Sequence, residues 1–204
     1  MMQQPVQMTL ISAFTFVVMV AISGGPASTI PATAVASVLE QASQPAPSSG
    51  VVKARSFVSI APVPRGKEFQ VAVAVDIANG YHMNSHHPSD EYLIPTTLTP
   101  KLPAGLQLVD TVYPAGRERK FSFSPDKPLD VYSGSVTLKL RLSAQADAPI
   151  GAATISMTLR YQACNDTTCL PPMKLPVDVT LDIAPANAKT RAQHPEIFSA
   201  AGST

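Results

Sequence analysis

The sequence has no tryptophan, little charge and almost no cysteine. Only 14% of its 204 residues are charged and the formal net charge is +1, so no strong field marks nucleic acid or an anionic membrane surface as a partner. There is no glycine-rich phosphate loop, no GxSxG and no HExxH, which leaves those enzyme classes without support. Two thiols without a CxxC or a second ligand pair argue against zinc, and nothing calls for a cofactor. No segment of normal helix length carries a clean 3.6-residue stripe, and no internal repeat is present. What the chain does have is twenty prolines, suited to edges, turns and tails, and run after run of period-two alternation.

Length allows one domain with flanking segments. Residues 8–22 form an uncharged apolar run too short for a spanning helix, which reads as the core of a signal peptide. Ala32-Thr33-Ala34 and Ala34-Val35-Ala36 offer cleavage sites. The residues before the run carry no Lys or Arg, so an uncleaved membrane anchor is the alternative; either places the domain outside the cytoplasm. Residues 1–34 are thus signal and cleavage region, and 35–50 a flexible linker with a short helical stretch at 34–41. Residues 51–184 form the folded domain and 185–204 a loose tail. No stable oligomer is predicted.

Within the domain, Phe69, Val71, Val73, Val75 and Ile77 alternate with polar or small residues, as do Val136, Leu138, Leu140 and Leu142. Residues 51–60, 92–98, 106–113 and 120–123 add shorter strands. Ile155, Met157, Leu159 and Tyr161 precede a turn-rich stretch, and Val177, Val179, Leu181 and Ile183 follow it. About eight strands at this spacing predict an all-β, immunoglobulin-like β-sandwich.

Both cysteines lie in that turn-rich stretch, YQACNDTTCLPP. An extended run from Cys164 to Cys169 would span roughly 17 Å, whereas a disulfide brings its Cα atoms within about 7 Å. Asn165-Asp166-Thr167-Thr168 is turn chemistry that lets the chain double back. A ring this small adds only about 2 kcal/mol by loop entropy, in a chain long enough to bury a core unaided. A modest staple and a redox pair both remain open on spacing alone. Asp166 disfavours a thiolate, Arg160 and Lys174 are the nearest cations in sequence, and neither cysteine opens a helix, so the pair is not expected to be strongly acidic.

With its companions GYHMNSHHPSDEYLIPTTL and VYPAGRERKFSFSPDKPLDVYSGSVTLKL, this stretch resembles the periplasmic N-terminal domain of the thiol:disulfide interchange protein DsbD, over roughly residues 51–184. The resemblance implies the same sandwich. It also implies a Cys164–Cys169 redox pair that relays electrons between thioredoxin-like proteins, as part of a protein-disulfide reductase system of the kind serving cytochrome c biogenesis. Cys169 would form the mixed disulfide and Cys164 resolve it, with Leu170, Pro171 and Pro172 shaping the docking surface. In such domains an aromatic on a loop shields the pair; Phe121 or Phe123 is the counterpart here, or else both pack in the core. Tyr81 and Tyr161 line the site or pack. Full-length DsbD continues into a membrane electron conduit and a thioredoxin-like domain, absent from these 204 residues, so a separate membrane partner or a different client is expected. The rival readings are a copper protein using His82, Met83, His86 and His87, whose imidazole and thioether groups suit that metal, and a structural sandwich with an inert disulfide.

Overall fold

The computed structural model describes residues 50–199. The expected signal segment, its cleavage sites and the helical stretch at 34–41 lie outside the described residues. In chain order the strands begin with β1 (Val52–Val58), β2 (Ile60–Ala61), β3 (Val63–Pro64), β4 (Glu68–Ile77) and β5 (His82–Asn84). Next come β6 (Thr97–Lys101), β7 (Leu106–Val112), β8 (Arg117–Phe121), β9 (Ser124–Tyr132) and β10 (Ser135–Ala144). β11 (Gly151–Tyr161), β12 (Ala163–Cys164), β13 (Met173–Ala184), β14 (Arg191–Ala192) and a single helical turn, α1 (Pro195–Phe198), complete the described chain.

The period-two runs become the two layers of an immunoglobulin-like sandwich. One sheet has the order β1-β4-β10-β7. In it Val71, Val73 and Val75 stand opposite Leu140, Leu138 and Val136, so both strands turn the same apolar face inward. The other has the order β3-β13-β11-β6, with Ile155, Met157 and Leu159 opposite Val179, Val177 and Leu175. The two inner faces share one buried cluster. Each fully buried Val, Leu or Ile in it contributes about 1.5–3 kcal/mol by transfer from water.

Local chemistry explains where the strands depart from the periodicity. The stretch 92–98 is a strand only from Thr97. Asp90 accepts the Tyr92 amide on its carboxylate and the Leu93 amide on its carbonyl, making a turn, and Pro95 has no amide to give a ladder. The expected strand at 120–123 instead ends β8 at Phe121, turns at Ser122-Phe123 and returns as β9, whose first half is too polar to alternate. The segment after Pro185 is held at Arg191-Ala192, which pairs with Ile60-Ala61, and by an edge contact between Phe57 and His194.

A third, smaller sheet, β12-β5-β9-β8, is built on the sandwich. Met83 pairs with both Ala163 and Tyr132, and all three side chains belong to the main core. Successive residues point to opposite faces, so His82, Cys164 and Val131 lie on the outer face of this sheet. There Phe121, Leu129 and Val131 form a second buried cluster, with Leu93 packed against it.

Leu140→Ala, emptying a fully buried position between the sheets, is expected to lower stability by about 3 kcal/mol. The neighbouring Arg141→Ala, which breaks only an exposed pair with Glu68, should cost no more than about 1 kcal/mol. Denaturant titrations should show the difference as a midpoint shift at constant slope.

Candidate functional site

The β11–β13 hairpin holds register up to Tyr161 opposite Met173, then opens. Ala163 and Cys164 pair on one side with Met83 and His82 of β5. The four residues between the cysteines are folded by Asn165. Its side-chain oxygen accepts the amides of Thr167 and Thr168 and the Thr167 hydroxyl, while its own amide donates to Thr168. This is the Asx-type turn that the Asn-Asp-Thr-Thr sequence favours. The Leu170 amide then donates to Ala163, and the Gln162 side chain donates to the Leu170 carbonyl.

The turn brings Cys164 and Cys169 into bridge pairing with Cα atoms 3.9 Å apart, joined by a disulfide. Their surroundings differ sharply. Cys164 is 2% exposed, against the small sheet, whereas Cys169 is exposed on the turn. Pro171 and Pro172 beside it are exposed, as are Phe123 and Met173; Leu170 tucks partly against the core. Of the two residues, Cys169 is the one open to solvent.

The β8–β9 hairpin reaches the same place by curling. Its tip pairs Phe121 with Ser124, while Val131, seven residues on, pairs with Asn84 of β5. A straight ribbon would carry the tip roughly 23 Å along β9. Instead the Phe121 ring stacks on His82 with centroids 4.1 Å apart, and the Ser122 hydroxyl donates to the Asp166 carbonyl in the cysteine turn at 2.8 Å. The register shift between Arg119 and Phe121 accommodates the bend. Phe123 stacks on Phe121 and remains 46% exposed, and Arg119 lies over the Phe121 ring. Ser122 and Arg119 carried no signal in the sequence, because only the curl of the hairpin brings them here. Arg160 and Lys174 stand opposite each other on β11 and β13.

His82 is 1% exposed and its Nε2 has no hydrogen-bond partner. Burial lowers its pKa from 6.5, Arg119 lowers it further, and Asp166 opposes both. The other three residues of the histidine-rich loop point elsewhere. Met83 lies in the main core. His86 stacks on Tyr113 at 3.6 Å and its Nδ1 donates to the Thr96 carbonyl; His87 is exposed at its edge. Among the described residues no three His, Cys, Asp or Glu side chains come together as a metal site. Tyr161 is buried in the main core and Tyr81 packs partly against it.

The remaining motif residues hold the scaffold under the site. Tyr132 donates its hydroxyl to the Pro114 carbonyl and accepts the His86 amide, tying the two companion motifs together at one atom. Asn84 donates to the Ile94 carbonyl. A Cβ at Gly116 would fall 1.4 Å from the Asp130 carboxylate, so this glycine is required by close approach.

Two outcomes follow. Ser122→Ala removes the link between hairpin tip and cysteine turn, a hydrogen bond of about 0.5–1.5 kcal/mol; reduction of the disulfide by excess dithiothreitol should accelerate roughly two- to tenfold. His82 has a depressed pKa in the folded state, so below 6.5 the unfolded chain binds the proton first. The unfolding midpoint should therefore fall as pH drops below 6.5, and this slope should flatten in His82→Phe.

No curated protein matches the chain. The structure is similar to the reduced DsbD N-terminal domain of Neisseria meningitidis, at 22% identity over 67% of this chain and 89% of that one, TM-score 0.39. It is also similar to the N-terminal periplasmic domain of ScsB from Proteus mirabilis, at 13% identity over 72% of this chain and 50% of that one, TM-score 0.46. A third similar structure is the complex between the DsbD and PilB N-terminal domains of N. meningitidis, at 20% identity over 69% and 88%, TM-score 0.35. The family model for the N-terminal part of the thiol:disulfide interchange protein DsbD matches residues 50–181. That span holds the disulfide, the curled hairpin and the sheet beneath them, and the chain belongs to the family of the N-terminal domain of the thiol:disulfide interchange protein DsbD.

Proposed function

We propose that the Cys164–Cys169 pair is the working redox centre and that Cys169 is the sulfur exchanged with partners. The observation that carries this is the asymmetry of the pair: one sulfur buried on a sheet, the other exposed on a turn. A thiolate on a thioredoxin-like donor attacks Cys169, the intramolecular bond breaks, and Cys164 leaves as the resolving thiol. A second thiolate on the donor then frees the dithiol form, which reduces a downstream disulfide by the same steps in reverse. Exposed Pro171, Pro172 and Phe123 form the apolar rim on which a partner docks, and Phe121 with Ser122 screens the pair until it does.

Residues 8–22 act as the export signal that delivers this domain to the periplasm. Electrons come from a separate membrane conduit protein or another periplasmic donor.

Mixing Cys164→Ser with a reduced thioredoxin-like protein, whose resolving thiol is also blocked, and an oxidant should accumulate a mixed disulfide at Cys169. The converse variant, Cys169→Ser, should accumulate none. A redox titration supplies the other arm. A potential above about −300 mV fits exchange, whereas a lower value with no trapped species would leave a structural staple.

A further inference from the structure

We propose that His82 accepts the proton of the Cys164 thiol in the step that closes Cys164 onto Cys169; this rests on the exchange reading above and adds a residue to it. Three residues form a row across the small sheet and the turn. His82 pairs with Cys164, and Cys164 bridges to Cys169. Directly opposed residues on antiparallel segments present their side chains on one face, with Cβ atoms about 4.5–5.5 Å apart. The imidazole thus flanks the buried sulfur on one side while Cys169 flanks it on the other.

The chemistry of the step requires a base at that position. In the dithiol form Cys164 is a buried thiol, and burial in apolar surroundings favours the protonated sulfur. To resolve a mixed disulfide it must become a thiolate where solvent cannot take the proton. His82 is as buried as the sulfur and carries a ring nitrogen with no partner. An unpartnered buried polar atom is costly and asks for an explanation. The donor missing beside the disulfide is one that only reduction creates: the S–H of Cys164.

The charged groups around the ring set its protonation state. Arg119 from β8 opposes an imidazolium and Asp166 from the cysteine turn favours one. Phe121 covers the ring face. Burial and Arg119 together keep the imidazole in its free-base form near neutral pH, ready to accept.

The step balances as follows. Cys164 gives its proton to His82 Nε2, and its sulfur attacks Cys169. The Cys164–Cys169 bond forms as the bond between Cys169 and the client sulfur breaks. The client sulfur leaves with the electron pair as a thiolate and is protonated from the imidazolium, directly or through solvent. The client is reduced and the pair oxidised. In the opposite direction the imidazolium returns the proton to the departing Cys164 sulfur.

Reaction of the dithiol form with 5,5′-dithiobis(2-nitrobenzoate) separates the two halves by absorbance. The first release of thionitrobenzoate reports attack by Cys169 and the second reports closure by Cys164; Cys164→Ser should show the first alone. In His82→Gln and in His82→Phe, which keeps a ring against Phe121, the first phase should be unchanged. The second should slow by about 100-fold, the lower range for losing a general base, and rise in proportion to hydroxide. A wild-type measurement guards against variants that do not fold: the nitrogen-15 shift of His82 Nε2 should change between disulfide and dithiol forms. A second phase of wild-type rate and pH profile in either folded variant overturns the inference, as does an identical Nε2 shift in both forms. Loss of the first phase in the wild type would overturn the exchange reading, and this inference with it.

Discussion

The site depends on a two-residue change of partner. Where the β11–β13 register ends, Ala163 and Cys164 take Met83 and His82 as ladder partners on one side, while on the other Leu170 still donates to Ala163 and Cys169 bridges Cys164. Alternation along the strand then does the rest: Ala163 goes into the core and Cys164 goes to the outer face of the small sheet. Cys169 has no ladder beyond its bridge to Cys164 and stays on the turn. In the register of β11 and β13 Cys164 would face Leu170, and the turn shifts this by one residue to oppose the two cysteines. The inequality between the buried and the exposed cysteine follows from β5 pairing with Cys164 while Cys169 sits on the turn.

The curled hairpin beside the pair is held unevenly. Phe121 is anchored by its stack on His82 and by the apolar cluster with Leu129 and Val131, so the curled hairpin has a fixed seat. Its outer end is fastened to the cysteine turn by one exposed hydrogen bond, from Ser122 to Asp166, and Phe123 is left half in solvent. Exposed hydrogen bonds exchange with water at little net cost. The arrangement gives the hairpin a definite resting position and leaves Phe123 partly in solvent at its tip.

Much of this was legible in the sequence, and the part that was not has a definite physical origin. The long strands declared themselves because one face is dry: Val71, Val73 and Val75 or Leu138, Leu140 and Leu142 leave no doubt about period or side. The turn between Cys164 and Cys169 is legible in Asn165-Asp166-Thr167-Thr168, and the structure forms it through the Asn165 side chain. β9 went unread because Pro125, Asp126, Lys127 and Pro128 give its first half no alternation, and Pro95 with Asp90 made a turn of what reads as strand. His82 was grouped with His86 and His87 by proximity along the chain. Strand geometry separates them, sending His82 to the cysteines and His86 onto Tyr113. Contacts such as Ser122 with Asp166 arise from the curl of a ribbon, which leaves no trace in residue spacing.

The small sheet has two faces with separate duties, and this decides what reduction does to the whole molecule. Met83, Tyr132 and Ala163 bind its inner face into the sandwich, while the sulfurs sit outside that packing. Cutting their bond releases only a short loop, still gathered by the Asn165 side chain, and costs the fold about as much as one such small ring can contribute. The sandwich core is therefore insulated from the opening of that bond. The sandwich serves as a handle, and the disulfide lies on the far side of the small sheet from it.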